Sequence, residues 1–164
     1  MYYRYLATPI GDLLLAGGDE ALCVVGFPQG SRRREPETDW IYSEQHLDPA
    51  CEQLQAYFEG TRRQFDLPLR PGGTEFQLRV LAELRKIPYG TTVSYGDIAR
   101  RIGNPKAVRA VGAANGRNPI PIVIPCHRVI GSSGDLTGFG GGLAVKEALL
   151  RHELEHSRFP HVRP

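Results

Sequence analysis

The chain has 164 residues, room for one sizeable core or two small ones, and its 41% apolar and 23% charged content excludes a disordered tail, a collagen-like fibre and a disulfide scaffold. No apolar run approaches the length of a membrane span, and the start, MYYRYLATPIGD, has no cationic stretch followed by an apolar signal core, so a soluble, unexported, cytoplasmic protein is expected. The net charge of +2 conceals an asymmetry: residues 1–73 carry 7 Lys/Arg against 11 Asp/Glu, a balance of −4, while residues 74–164 carry 13 against 7, a balance of +6. The second part is therefore the candidate for meeting a polyanion, although charged surfaces are common and this feature alone decides little.

In chain order, Tyr2 to Thr8, Leu13 to Ala16 and Ala21 to Phe27 are β-type runs separated by the turns Pro9-Ile10-Gly11-Asp12 and Gly17-Gly18-Asp19-Glu20, which predicts an antiparallel meander. Pro28 to Asp39, with Arg32-Arg33-Arg34, reads as a loop with no assigned role. Asp48 as N-cap, Pro49 at the first helical position and Gly60 past the end bracket a helix with Leu47, Cys51, Leu54 and Phe58 along one side. Gln64 to Leu69 offers one more strand, and Arg70-Pro71-Gly72-Gly73 a linker, which sets an expected boundary between an N-terminal structural domain, 1–73, and a C-terminal domain, 74–164.

The second part begins with a capping box, Thr74-Glu75-Phe76-Gln77, and an amphipathic helix through Phe76, Val80, Leu84 and Ile87. Ser94 with Asp97 starts a short helix, Tyr95 to Ile102, that Gly103 can end in the left-handed conformation; Asn104 is then expected to cap another, with Pro105 at its first position. Two short helices separated by Gly103-Asn104 match a helix-turn-helix. The second of them, through Ala107, Ala110, Gly112, Ala113 and Ala114, carries small side chains and chiefly Arg109 as a long polar one. Such a surface suits a narrow minor groove better than base reading in the major groove, and a helical hairpin packed in a core explains it equally well.

The apolar run Pro119 to Pro125 predicts a buried extended segment delivering Cys126-His127-Arg128. The other cysteines, Cys23 and Cys51, are far from it and not in CxxC or zinc-finger spacing, so all three read as reduced thiols. A thiol reacts as the thiolate and needs a base or a positive environment, which His127 can supply if the chain turns at Cys126 or a water stands between them. Buried packing is the commoner explanation of an isolated Cys-His pair. Two small-residue loops follow, 130–134 and 137–142, able to wall a pocket for a flat ring or to be plain turns. A last helix runs from Leu143 to Leu154, whose Glu153 either orients a histidine or sits at the surface.

Ile124-Pro125-Cys126-His127-Arg128-Val129-Ile130 resembles the active-site signature of the O6-alkylguanine-DNA alkyltransferases, the methylated-DNA-protein-cysteine methyltransferases. The likeness extends through Ser94-Tyr95, Gly103 to Gly112, Asn118-Pro119 and Gly141 to Glu147, and more weakly through Thr8-Pro9-Ile10-Gly11 and Ala56-Tyr57-Phe58. It implies an α+β protein of the compact bacterial type, with an N-terminal ribonuclease H-like sheet and helix and a mostly helical, winged-helix-like C-terminal domain. The implied function is DNA repair by single-turnover transfer of an alkyl group from O6-alkylguanine, less well O4-alkylthymine, in double-stranded DNA.

Carried over by position, the resemblance makes Cys126 the nucleophile and acceptor, His127 its base through a water, and Glu153 the residue orienting the imidazole. Asn118 would tie the second helix of the motif to the active-site segment, Arg109 would replace the extruded base in the stack, and Tyr95 would crowd the phosphate and face the flipped guanine. Gln77, Gly96, Asn104 and Ser132 match other DNA-contacting positions, and Val129, Ser132 and Phe139 would line the pocket, Phe139 standing where many members have tyrosine. Val80-Leu81-Ala82 departs from the family where many members carry tryptophan, a difference expected in the packing of the core. No cofactor, structural metal or membrane is implied, and the protein is expected to be a monomer that can bind DNA cooperatively. Two other functions fit parts of the sequence: a helix-turn-helix binder of alkylated DNA without chemistry, which has no need of Cys126, and a cysteine hydrolase, which needs an oxyanion hole that no motif here announces.

Overall fold

Pairing begins within the first 26 residues, where alternation and tight turns leave the chain little other choice. In the computed structural model, which describes residues 1–136 and 139–157, β1 (Tyr2–Thr8), β2 (Gly11–Gly17) and β3 (Leu22–Gly26) form the expected antiparallel meander, with Thr8 opposite Gly11 at the first hairpin. A two-residue strand not foreseen from the sequence, β4 (Ile41–Tyr42), adds to the outer side of β1 in parallel, giving the order β3-β2-β1-β4. The 64–69 segment contributes a single bridge from Leu69 to Leu22 in place of a strand, because Pro68 has no N–H to extend a ladder.

Helix α1 (Asp48–Glu59) covers the sheet, and Gly60 closes it in the left-handed conformation as expected. Its start differs from expectation. Asp48 lies inside the helix and Leu47 is the cap residue, since the Asp48 carboxylate is drawn 2.7 Å from the Arg4 guanidinium and is not turned onto the backbone. The buried face also differs: Tyr57 is fully buried and Phe58 only partly, for a reason that lies in the second part of the chain.

Helix α2 (Glu75–Leu84) has the capping box at Thr74 and Gln77, and α3 (Tyr95–Arg101) a second one at Ser94 and Asp97. Gly103, at φ 79°, makes the turn that leads away from α3. Helix α4 (Val108–Gly116) starts later than the sequence suggests. Asn104 to Ala107 form a turn closed by the Ala107 amide on the Asn104 carbonyl, a setting in which Pro105 sits as well as at a helix start. The helices α2, α3 and α4 pack on one another as the helix-turn-helix unit.

The 119–125 segment is buried but not extended. Ile122 has a positive φ of 73°, Pro121 bridges Ile124, and the Ile124 amide bonds to the Ile120 carbonyl, folding the run into a compact turn. Three prolines remove the donors a strand would need, and the Asn118 amide closes the loop from both sides, accepting from Ile120 N and donating to Ile124 O. After a single 3-10 turn at Cys126–Arg128, β6 (Val129–Ile130) pairs in parallel with β5 (Val93–Ser94), and α5 (Leu143–Ser157) ends the described chain. Thr137 and Gly138 of the second small-residue loop lie outside the described residues.

One apolar cluster runs through both parts, from Leu13, Leu15 and Leu54 to Leu84, Ile98, Val111 and Leu149. The parts are also tied by polar links: Val25 N to Pro119 O, Arg32 N to Gly140 O, and His152 Nε2 to Tyr57 O at 2.7 Å. No helix among the described residues is long and apolar enough to cross a membrane.

Candidate active site

The 3-10 turn places Cys126, His127 and Arg128 together in the interior, at 4%, 0% and 6% exposure. The chain therefore bends at Cys126, where a regular strand would have turned adjacent side chains to opposite faces. Around the thiol, hydrogen bonding from Asn118 and from the backbone at Cys126 and Ile122 favours the thiolate. Asn115, one turn earlier on α4, donates to the Cys126 carbonyl at 3.3 Å. Asn118, two residues past the end of α4, is bonded to Ile120 N and Ile124 O of the segment that leads to Cys126, and Asn115 on α4 is a second link, which has no motif in the sequence.

Glu153 lies on the buried face of α5, fully enclosed. Its Oε2 is 2.6 Å from His127 Nε2 and 2.7 Å from the Tyr57 hydroxyl; Arg128 donates from Nε to Oε1 at 2.8 Å and from Nη2 to Oε2 at 3.1 Å, and the Gly90 amide reaches Oε1. Burial pushes this carboxyl up, but the charge and hydrogen bond of His127 and those of Arg128 outweigh it and hold it well below the usual carboxylate range. Arg128 adds its charge and two hydrogen bonds, which favour the ionised carboxylate whatever the state of His127.

That arrangement fixes the imidazole. Burial lowers the His127 pKa, so the ring rests neutral, and an ionised carboxylate can only accept, so Nε2 carries the proton. Its Nδ1 is then a lone pair, buried and without a hydrogen-bond partner among the described residues. The thiol is the opposite case: burial pushes Cys126 up to about 11, against hydrogen bonding from Asn118 and the positive charge of Lys146. Lys146, buried on the same face of α5 as Glu153, bonds the Val129 carbonyl at 2.7 Å and lies 5.9 Å from the Tyr95 ring centre. At neutral pH the group thus holds a protonated thiol, a neutral imidazole and the Lys146 ammonium, whose charge favours the thiolate.

A cavity of about 40 Å³ adjoins Cys126, walled by Phe27, Arg32, Asn115, Pro121, Phe139 and Gly140. Phe139 is packed at 5.4 Å against Phe27, and Arg32 comes from the arginine loop, for which no role was expected. A larger cleft of about 390 Å³, lined in part by Arg63, Arg85, Tyr89 and Arg128, does not include Cys126, so cavity size does not locate the chemistry. Val129 is buried in β6, and Ser132 is exposed in the turn after it.

Tyr95 is the first residue of α3, half-buried, with Gly112 of α4 against its ring. Gly96 follows it at the helix start, Gln77 is engaged in the α2 capping box, and Asn104 is exposed in the turn before α4. Arg109 is exposed near the start of α4, beside the exposed Ala110 and Ala113, while Val111, Ala114 and Asn115 face inward. The structure brings together Cys126, His127, Glu153 and Asn118, with Tyr95 joined through Lys146; the remaining predicted contact residues lie outside that buried group. Arg128, Lys146, Tyr57, Asn115 and Arg32 were missed as participants. Lys146 and Glu153 had a visible signal: with Leu149 they occupy the i, i+3, i+7 positions of one helix face, an unusual place for two charges.

Comparison with known proteins gives the family of the chain. Residues 75–155 match the 6-O-methylguanine DNA methyltransferase DNA binding domain, and residues 1–71 match the ribonuclease-like domain of the same methyltransferases. A methylated-DNA-protein-cysteine methyltransferase of Methanosarcina acetivorans is 52% identical over 153 residues, 93% of this chain and 98% of that one. One of Mycobacterium bovis is 50% identical over 161 residues, 98% and 95% of the two chains. The crystal structure of Mycobacterium tuberculosis OGT in complex with DNA superposes with a TM-score of 0.88 at 48% identity, covering 95% of this chain and 94% of that one. A buried Cys-His-Arg turn braced by a glutamate, in a chain matched from end to end at about half its residues, has one consistent assignment: the protein belongs to the 6-O-methylguanine-DNA methyltransferase family.

Proposed function

We propose that this protein repairs DNA by moving an alkyl group from O6-alkylguanine, and less readily from O4-alkylthymine, onto Cys126 Sγ. The observation that carries the proposal is the 2.6 Å contact of His127 Nε2 with Glu153 Oε2: with the ring proton held there, the buried Nδ1 lone pair is left as the base for the thiol. A water between them can relay the proton. The new sulfur–carbon bond forms as the carbon–oxygen bond breaks, the thiol proton passes to His127, and the departing guanine oxygen takes a proton from a nearby donor, the role proposed for the hydroxyl of Tyr95, the first residue of α3. A thioether has no easy way back, so each molecule acts once.

The target atom is out of reach in a duplex, so the base is flipped out. In this proposal α4 enters the minor groove with its small residues, Arg109 fills the vacated stack, and Gln77, Gly96, Asn104 and Ser132 hold the backbone around the lesion. Val129, Ser132 and Phe139 border the pocket that receives the base. The cavity now beside Cys126 holds water-sized groups, so the base enters as its walls at Arg32 and Gly140 part.

Incubation with O6-methylguanine DNA followed by intact-protein mass and peptide mapping tests the proposal. Transfer should stop at one methyl per protein, on Cys126, with Cys23 and Cys51 unmodified. A binder without chemistry shows no modification, and a hydrolase turns over repeatedly; either result, or methyl on another cysteine, sinks the assignment.

A further inference from the structure

The first part of the chain, acidic overall and read from sequence as a scaffold, sends one side chain into the buried group. Tyr57, on α1, is completely enclosed, and its hydroxyl donates to Glu153 Oε2 at 2.7 Å across 96 residues of sequence. This is the same oxygen that accepts from His127 Nε2. A phenylalanine would fill nearly the same space among Phe58, Phe65, Tyr89 and His152 without burying a hydroxyl. Nor is the hydroxyl needed to satisfy Oε2, which already has His127 and Arg128 as donors.

We propose that Tyr57 is a positioning residue for alkyl transfer: its hydroxyl fixes the direction of Glu153 Oε2 and moderates how strongly that oxygen holds His127. The inference rests on the assignment of Cys126, His127 and Glu153 above. Donors from three places converge on the carboxylate: α1 through Tyr57, the 3-10 turn through His127 and Arg128, and the loop after α2 through the Gly90 amide. Without Tyr57 no group from α1 restrains Oε2. Charge logic gives a second consequence. A phenol donating to Oε2 spreads part of its negative charge, so less remains to stabilise an imidazolium at His127. The other titratable or charged groups near the pair are Arg128, Tyr89, Cys126, Lys146 and His152. Burial and the neighbouring Glu153 keep the Tyr57 phenol well above its ordinary range, so it remains a neutral donor over the working pH.

The test is the pH dependence of transfer from free O6-benzylguanine, a substrate that needs no DNA contacts. Tyr57→Phe should slow the reaction about tenfold, the size of one lost hydrogen bond to a charged group, and move its acid limb upward in pH, because His127 becomes easier to protonate. Replacing Tyr57 with 3-fluorotyrosine, a stronger donor of nearly the same shape, should move the limb downward. This second variant decides the matter if Tyr57→Phe does not fold. A Tyr57→Phe protein with a lower Tm but an unmoved rate and limb, a loss confined to duplex substrates, or a 3-fluorotyrosine variant with an unshifted limb overturns the proposal. Failure of the wild-type protein to alkylate Cys126 at all would instead overturn the assignment beneath it.

Discussion

Five donors converge on the two oxygens of Glu153 while Cys126, a few side chains away, is left with its proton, and this difference sets how the site works. The protein holds one anion in its interior, neutralised by Arg128, and in the proposed reaction the second forms only when an electrophile arrives. Lys146 then matters as the positive charge near the sulfur. Its ammonium favours the thiolate, so Lys146→Met should raise the Cys126 pKa further and slow transfer about tenfold for each pH unit of that rise. The check is the pH dependence of iodoacetamide alkylation at Cys126, followed by peptide mass. A curve unchanged from wild type would remove Lys146 from the account. Such roles are hard to read from sequence because a lysine on a helix face is usually solvated; only its i+7 relation to Glu153 marks it.

Among the elements, those whose ends are fixed by neighbours in sequence were legible, and those fixed by distant partners were not. Thr74 and Ser94 cap α2 and α3 through residues three positions on, as their spacing predicts. Asp48 misled because Arg4, 44 residues away, takes its carboxylate. The α1 face was misjudged by one residue because Tyr57 answers to Glu153. The apolar 119–125 run was rightly placed in the core, but period alone does not separate a strand from a proline-stiffened turn closed by Asn118. On α4 the exposed side is Arg109, Ala110 and Ala113, and Arg109 is the long side chain there that can occupy a base-sized gap. Arg109→Ala should therefore depress repair of duplex O6-methylguanine at least tenfold while sparing reaction with free O6-benzylguanine within about twofold, if the helix works as proposed. Equal losses on both substrates count against it. The arginine loop makes a different prediction. Gly30 has a φ of 95°, and a Cβ there would overlap the Gly140 and Gly141 backbone, against which Arg32 N is bonded. Gly30→Ala should cost about 1–3 kcal/mol, seen as a lower urea midpoint. Gly18→Ala, where a Cβ meets open space, should cost less.

At the scale of the whole molecule, the two parts share one core and one buried charge network, so their stability and the state of the site are linked through protons. His127 has a lowered pKa in the folded chain, while the unfolded chain takes up its proton near the ordinary 6.5. Below that pH the unfolded state binds more protons than the folded one, and stability falls as pH falls. Glu153 adds to the same trend further down: its folded pKa is depressed, so the stability it contributes is present above its ordinary 4.5 and is lost as pH drops through that range. Cys126 acts at the other end. Its ordinary value is 9.0 and its folded value about 11, so above pH 9 the unfolded chain has released a proton that the folded chain retains, and stability falls as pH rises. Over the interval between those two values the loss amounts to about 3 kcal/mol. Tyr57 and Tyr89, both pushed up from 10.0, continue the decline at higher pH. Urea midpoints measured from pH 5 to 10 should thus form a plateau between roughly 6.5 and 9. Cys126→Ala should shrink the decline between pH 9 and 10, leaving the part that the buried Cys51 thiol, also pushed up, contributes, and should leave the acid side intact. The protein methylated on Cys126 should show the same reduction, because a thioether has no proton to release. An alkaline slope that persists unchanged in both would mean that the folded thiol is not held up by its burial, and the deferred ionisation at the centre of the proposed reaction would lose its basis.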